Sequence, residues 1–411
     1  MPCAMVENNK NSDAILLVTT PGFPHLKGGA NTITRTLLNE IRRHRKACVF
    51  VQGEWEHRNM CSNSYNGANV YTMRLLLPHT SENSLRKTGR FLIDLPHVLI
   101  RLRRLLREER VSIIGLQMLV PQHIYFWVLH MLGGPPYLIS LRGSDVTRFN
   151  HWPRFDRWLM RRILKDAELV TTNSHWLAQQ VRRTWREGVD FKGLRIVHNG
   201  LCQGGVEEFT FNENPKTTNA APITEGNYFV CVSSFDPYKG HDLLIKAWKT
   251  FVTNHPDWKL VLVGDGPDYD DRHRQAQKSG IADSILFAGQ RSNRETLQII
   301  AASKGLVLPS RSEAFGNVLV EAALAGVPSI ACAVGGVPEI IEHERNGLLV
   351  PPEQSEAIAD AMTRLATDGA LRATLAAAAK EKARSCFTAE RMTASYLSAV
   401  DEVLQHSRPA L

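Results

Sequence analysis

Apolar residues in this chain fall in short runs, each closed by Gly, Ser, Asn or Pro, and between the runs hydrophobics recur at helical spacing. AILLVTT (14–20) ends in the breaker PGFP, a helix is expected over about 31–44, and ACVFVQG (47–53) reads as a second strand. VSIIGLQ (111–117), YLISLRG (137–143), ELVTTNS (168–174) and LRIVHNG (194–200) are further strands separated by helical stretches. This alternation predicts a parallel sheet covered on both faces. From 203 to 226 the pattern lapses into QGGVEEFTFNENPKTTNAAPITEG, a polar segment with the composition of an interdomain linker. A second alternation follows: YFVCVSSF (228–235), a helix over about 241–254, KLVLVGDG (259–266), SILFAGQ (284–290), GLVLPS (305–310), PSIACAV (328–334) and GLLVPP (347–352). The tail from about 356 is helical. The expected organisation is a first Rossmann-like domain over 1–202, a linker over 203–226, a second Rossmann-like domain over 227–385, and a C-terminal helix over 386–411 that crosses back to the first domain.

Composition supports a folded chain: 411 residues, 43% hydrophobic and 22% charged, enough for two cores. No apolar run is long enough to span a bilayer, and MPCAMVENNKNSD lacks the order of a secretory signal, so a cytoplasmic protein is expected. The seven cysteines are scattered, with no CxxC or Cys/His cluster; they are expected to be reduced, with no metal site. The net charge of +8 is concentrated in the first half, at Arg101, Arg103, Arg104 and Arg107 and again at Arg154, Arg157, Arg161, Arg162 and Lys165. Such patches suit nucleic acid, anionic lipid or phosphorylated small molecules, and no nucleic-acid motif accompanies them. PHVLIRLRRLLREER (96–110) reads as an amphipathic helix with Val98, Leu102, Leu105 and Leu106 on one face. That face packs on the first sheet or, alternatively, the helix docks peripherally on anionic membrane.

The segment LVLPSRSEAFGNVLVEAALAGVPSIA carries the chemistry. It reads as strand, turn, helix, Gly326 as end cap, and strand. In parallel sheets ligands bind beyond the carboxyl ends of the strands, where helix N-termini present free N–H groups. Phe315, Gly316 and Asn317 stand at the helix start. Gly316 lets a ligand approach the backbone, and the N–H groups of Asn317 and Val318 would face a diphosphate. Glu313 in the turn and Glu321 in the helix can accept hydrogen bonds from hydroxyls, the first from a sugar and the second from a ribose. The plainer alternative makes Glu313 a capping acid and Glu321 a solvated helix residue.

Here the chain resembles the family-four retaining glycosyltransferases, whose mark is a Glu-x7-Glu segment; Ser312, Glu313, Phe315, Gly316 and Glu321 match it. VGDGP (263–267), FAGQ (287–290), GGVPE (335–339), NGLLVPP (346–352) and KGGANT (27–32) fall in the family's order. The resemblance implies an α/β GT-B fold of two facing Rossmann-like domains, with a nucleotide-sugar bound mainly by the second. It also implies no divalent metal and no cofactor beyond the UDP- or GDP-linked substrate. Lys239, in the turn before the helix at 241, would neutralise the departing diphosphate, with Gly240 keeping the backbone accessible. A lysine at a helix start opposes the dipole, which hints at an anion nearby. Where the family often has an arginine five residues earlier this chain has Ser234, so Arg291 or Arg311 is a candidate substitute. Gly28 and Gly29 match a turn that reaches the donor phosphate. Arg142, Gly143 and Asp145 stand where the family often reads HG-x-D. Arginine cannot serve as a base, so Arg142 binds charge or braces the loop with Asp145. Asn199 and Gly200 match a turn that shapes the floor of the cleft.

The expected activity is transfer of a sugar, with retention, from a nucleotide-diphosphate sugar to a hydroxyl of a glycan, a lipid-linked acceptor or a small molecule. It fits polysaccharide or glycoconjugate biosynthesis. Lys239, Glu313 and Arg142 are the catalytic candidates. The remaining donor-site candidates are Gly28, Gly29, Asn199, Gly240, Phe315, Gly316, Asn317, Val318 and Glu321. Rival readings are a nucleotide-sugar epimerase or phosphorylase of the same architecture, or a non-catalytic nucleotide-sugar-binding subunit.

Overall fold

A computed structural model describes residues 13–19, 21, 23–24, 29–53, 59–77, 84–185, 191–202 and 226–407. Gly28 and the linker expected over 203–226, except its last residue, lie outside the described residues. The chain divides into two compact units. One comprises Met1–Asn173, Ala178–His198 and Met392–Leu411; the other comprises Ser174–Leu177 and Asn199–Arg391. The boundary therefore falls at His198/Asn199 rather than after Cys202, and the helix Ala389–Ser407 joins the first unit from Met392 onward.

The first unit is built on an eight-stranded sheet. Its strands are β1 (Ala14–Thr19), β2 (Ala47–Gln52), β3 (Cys61–Tyr65), β4 (Ala68–Met73), β5 (Val111–Gln117), β6 (Tyr137–Leu141), β7 (Leu169–Thr172) and β8 (Leu194–Ile196). Their order is β3-β4-β2-β1-β5-β6-β7-β8, and all neighbours run parallel except β3 and β4. The central strands read as unbroken apolar runs because helices cover both faces; every residue of β1 and β6 is buried.

Two features differ from the sequence reading. The antiparallel hairpin β3–β4 was not anticipated. Its strand β3, CSNSY, is exposed almost throughout and carries no hydrophobic signal, but it turns through Asn66-Gly67, both at positive φ (47° and 74°). The helix expected from 96 begins at Ser84 and runs through Pro96 to Glu108. Pro96 lies on the solvent side, where water can serve the Leu92 carbonyl that the missing N–H leaves unpaired. Val98, Leu102, Leu105 and Leu106 are all buried, so that apolar face packs inward.

The second unit carries a six-stranded, fully parallel sheet in the order β11-β10-β9-β12-β13-β14. These are β9 (Tyr228–Val232), β10 (Lys259–Val263), β11 (Ile285–Gly289), β12 (Gly305–Leu308), β13 (Ser329–Cys332) and β14 (Leu348–Val350). Strand order reverses between β9 and β12, the switch point at which such sheets open a crevice beyond their carboxyl ends. The helix His241–Asn254 buries Leu244, Ile245, Trp248 and Phe251 at three- and four-residue spacing. Phe229 stacks on Trp258 with ring centroids 4.9 Å apart. Six cysteines are described, all free thiols, with Cys48, Cys231 and Cys332 buried.

The C-terminal helix buries Met392, Tyr396, Ala399, Val400 and Val403 on one stripe. Tyr396 crosses β5 at Gly115, where a β-carbon would lie 2.1 Å from the tyrosine oxygen, and its hydroxyl accepts from Gln117 Nε2 at 3.3 Å. Asp401 pairs with Arg45, and Glu402 with Arg195. Gly115→Ala is expected to destabilise the protein by about 1–3 kcal/mol, the usual cost of overpacking. Urea denaturation of Gly115→Ala, Tyr396→Phe and the double variant checks this, and the double variant should cost less than the sum of the singles.

Candidate functional site

The second unit gathers most of the expected donor residues at the carboxyl ends of β9 and β12. After β9 the chain makes a single 3₁₀ turn, Pro237–Lys239, and passes through Gly240 into the helix His241–Asn254. Gly240 is left-handed (φ 73°), and a β-carbon there would stand 2.1 Å from the Pro309 carbonyl oxygen. Only glycine lets the turn pass so close to the end of β12. Lys239 is thereby set against the turn that follows β12, and its Nζ donates to Glu313 Oε2 at 2.7 Å.

Lys239 and Glu313 are both largely buried, with side chains 15% and 16% exposed. Burial alone would lower the lysine pKa, but the adjoining Glu313 carboxylate outweighs it, and the net shift is upward. The anion that the unfavourable position of Lys239 hinted at is therefore present within the protein: it is Glu313. Two residues predicted separately form one ion pair, whose loss on either side would leave a charge stranded in a poorly solvated place.

Glu313 is held from behind by the GGVPE turn. The Gly336 N–H donates to the Glu313 carbonyl at 2.9 Å. A β-carbon on Gly335 would lie 1.8 Å from that carbonyl oxygen, and one on Gly336 would lie 2.4 Å from the Ala314 oxygen. The Ala314 carbonyl also accepts from Ser174 Oγ at 2.7 Å. The Glu339 carboxylate takes the N–H groups of His175 and Trp176, both at 2.9 Å and both in the same unit. Sequence reasoning singled out GGVPE as a motif but gave it no part in the site. The adjacent glycines were the available signal for two backbones in contact.

Gly316 is left-handed (φ 99°) and opens the helix Asn317–Leu324. Among the described residues the N–H groups of Asn317 and Val318 have no backbone partner, as expected of a first helical turn. Asn199 Nδ2 donates to Asn317 Oδ1 at 2.9 Å, bringing these two candidates together. Phe315 differs from its expected role as a donor contact. Its side chain is buried edge-on against Phe387, with centroids 5.6 Å apart, so it can offer a ligand only its backbone. Glu321, one turn further on, is half-buried, and burial raises its pKa to about 7. Gly326 ends the helix in the left-handed conformation (φ 76°), as its pattern implied.

Ser234, at the position where an arginine was looked for, donates to Asp236 Oδ2 at 2.6 Å. Arg311, one of the two candidate substitutes, is engaged within the protein. Its guanidinium forks onto Asp242 at 2.7 and 2.9 Å, reaches Glu353 at 2.6 Å and donates to the Pro237 carbonyl at 2.9 Å. This clamp ties the Lys239 turn to the turn after β12 and commits the arginine's charge. Asp242, which no motif flagged, is half of it. Arg291 lies near Tyr269.

The first unit holds the other candidates. Gly29 is the first residue of the helix Gly29–Ile41. Arg142 follows β6, and its guanidinium donates to Gln117 Oε1, which links it through the Gln117 amide to Tyr396. Burial lowers its pKa to about 10. Asp145 does brace this loop, but through backbone amides: Leu119 at 3.1 Å, Arg142 at 3.1 Å and Gly143 at 2.8 Å.

The family described as glycosyl transferases group 1 matches residues 214–382, and a glycosyl transferase 4-like domain matches residues 28–200. The chain is 26% identical over 305 residues to an N-acetyl-alpha-D-glucosaminyl L-malate synthase of Bacillus anthracis, covering 74% of this chain and 77% of that one. It is 24% identical over 380 residues to a GDP-mannose-dependent alpha-(1-6)-phosphatidylinositol monomannoside mannosyltransferase of Mycobacterium tuberculosis, covering 89% and 92%. Among solved structures it is similar to Anabaena HepE in complex with UDP and glucose (TM-score 0.73, 20% identity), covering 95% of this chain and all of that one. With both α/β domains of the GT-B fold present, the chain belongs to the group 1 glycosyltransferases.

Proposed function

We propose that this glycosyltransferase binds a UDP- or GDP-linked sugar through the second unit and transfers it, with retention, to a hydroxyl of a glycan or lipid-linked acceptor. The observation that carries the reading is the Lys239–Glu313 pair beside a helix N-terminus with free amides. Relatives that name GDP-mannose and a solved neighbour holding UDP support the donor class. The amides of Asn317 and Val318 would take the diphosphate, and Glu321 the ribose hydroxyls. Glu313 would take a sugar hydroxyl while keeping Lys239 aimed at the bridging oxygen. Arg142, of the first unit, would bind negative charge on a substrate. Peripheral contact with an anionic membrane belongs to the same reading, since one curated relative acts on a phosphatidylinositol mannoside.

The chemical difficulty is negative charge building on the leaving diphosphate as the anomeric centre becomes oxocarbenium-like. A buried lysine kept protonated by its glutamate stabilises that charge without reorganising, and the scheme calls on no metal ion. Same-face attack would follow, with the departing phosphate accepting the proton of the acceptor hydroxyl.

Lys239→Ala and Glu313→Gln are each expected to lower transfer and slow donor hydrolysis by about 10²–10³-fold, the range for removing one preorganised charge partner. Circular dichroism should remain near normal, while the melting temperature should fall because the remaining partner is left as a stranded charge. Turnover close to wild type in a folded Glu313→Gln protein would remove the site assignment. Thermal shift with a set of nucleotide-sugars identifies the donor, and NMR of the first-formed product reads retention directly. Release of epimerised nucleotide-sugar would instead favour an epimerase, and no release of nucleotide diphosphate a binding subunit.

Glu321 adds a pH dependence. With its pKa raised from 4.5 to about 7, it is mostly protonated below neutrality and a stronger hydrogen-bond acceptor above. Donor affinity, measured with an intact nucleotide-sugar, should rise from about pH 6 to about pH 8, and Glu321→Gln should flatten the rise. Stability of the unliganded protein should move the other way. The contribution of neutral Glu321 is complete below about pH 4.5 and is lost as pH rises through about 7.

A further inference from the structure

Lys239 sits near the end of the loop 233–240, which joins β9 to the helix His241–Asn254. The two ends of this loop rest on different neighbours within the second unit. Its start is seated on the turn after β10, the VGDGP of the sequence. β-Carbons on Gly264 and Gly266 would lie 2.0 Å from the Ser233 carbonyl oxygen and 2.7 Å from the Phe235 nitrogen. The Phe235 N–H donates to the Asp265 carbonyl at 3.0 Å, and the Asp268 N–H to the Phe235 carbonyl at 2.9 Å. Its end follows the turn after β12: Gly240 lies against Pro309, and the Arg311 N–H donates to the Tyr238 carbonyl at 2.8 Å. Lys239 is aimed only as well as these two ends are held together.

His241, the first residue of the helix, joins them. It is 2% exposed, and its ring lies face to face on Phe235 with centroids 4.0 Å apart and planes 9° from parallel. Tyr269 meets Phe235 edge-on, so the histidine is part of an aromatic cluster. His241 Nε2 and Ser233 Oγ are hydrogen-bonded at 3.2 Å. The other ring nitrogen, Nδ1, is buried with no hydrogen-bond partner among the described residues. Burial, with repulsion from Lys239 and Arg272, lowers the His241 pKa to about 4, so the ring is neutral at physiological pH. It then carries a single N–H, and one edge of the imidazole is used while the other is left dry.

For stability alone this is a poor choice of side chain. Phenylalanine would keep the stack on Phe235 in nearly the same volume and would bury no unpaired nitrogen. A buried polar atom without a partner, where an apolar ring would fit, marks a position set by function rather than by packing. What the imidazole adds is the bond to Ser233, which ties the end of the loop to its beginning. Ser233 is a firm anchor, because its carbonyl is seated on Gly264. Gly240 alone separates Lys239 from His241, so a shift of the ring is passed directly to the lysine.

We infer that His241 is a positioning residue for the transfer reaction, setting through Ser233 and Phe235 the loop that aims Lys239. The inference rests on the proposed role of Lys239 toward the leaving diphosphate. His241 touches no substrate in this scheme and acts through the lysine.

The test compares His241→Phe, His241→Gln and Ser233→Ala in hydrolysis of UDP-N-acetylglucosamine and GDP-mannose, together with thermal melting. His241→Phe should melt at or above the wild-type temperature and yet lower kcat by about 10–10²-fold, the loss expected of a small misplacement of a reacting group. Donor KM should stay within about twofold, as for a contact that matters in the transition state and not in donor binding. Ser233→Ala should lower kcat similarly, and the double variant with His241→Phe no further, since both remove one bond. His241→Gln keeps a hydrogen-bonding group near the place of Nε2 but gives up the stack, so it should melt lower and turn over faster than His241→Phe. A histidine that serves only stability gives the reverse, with activity following melting temperature. That order overturns the inference, as does His241→Phe with wild-type turnover or with the whole loss in KM. Lys239→Ala, run alongside, separates the two readings. Wild-type hydrolysis by Lys239→Ala removes the role of the lysine, whereas slow Lys239→Ala beside normal His241→Phe removes the role of the histidine alone.

Discussion

Two stretches of main chain touching without side chains between them set the geometry of the candidate site in the second unit. The carbonyls of Glu313 and Ala314 rest on Gly335 and Gly336 at distances no β-carbon would tolerate. A peptide-on-peptide contact is stiff, because neither partner has rotamers to yield. The Glu313 carboxylate is therefore delivered from a fixed base and can hold Lys239 at hydrogen-bond distance. Were the turn free to shift by an ångström, the same two side chains would make an ordinary surface ion pair of small worth.

Around that contact the charges are arranged in two layers. The inner layer is the lysine–glutamate pair. The outer layer is Arg311, spent on Asp242 and Glu353, which lashes the turns after β9 and β12 together. Arginine suits the outer position because its planar fork makes several directed bonds at once. Lysine suits the inner one, being a compact charge that can be shared between a resident carboxylate and an arriving anion.

Strand and helix alternation was legible because buried parallel strands are written as unbroken apolar runs, and the second unit's turns were marked by glycines at the expected places. The β3–β4 hairpin was missed because its outer strand is polar, although Asn66-Gly67 announced the turn. Pro96 suggested a helix start, yet a proline on the wet side of a helix costs only one exposed carbonyl. Lys239 was recognised as electrostatically misplaced, but its partner lay 74 residues away, beyond any local pattern. Phe315, read as a ligand contact from its place in a motif, is a core residue whose side chain supports the loop from beneath. For Arg142, spacing suggested Asp145 as a partner. In the fold that carboxylate is consumed by three backbone amides, and the guanidinium turns to Gln117 instead.

Tyr396, seated over Gly115, also bears on the order in which the protein can be completed. The stripe from Met392 to Val403 fills the first unit, yet it is synthesised only after the whole of the second. A ribosome that has already released the first eight strands has produced a sheet with an uncovered apolar surface, which must wait for the entire second unit to emerge. Until then that surface stays uncovered, whereas the second unit, apart from Ser174–Leu177, is one contiguous run and can fold ahead of the first.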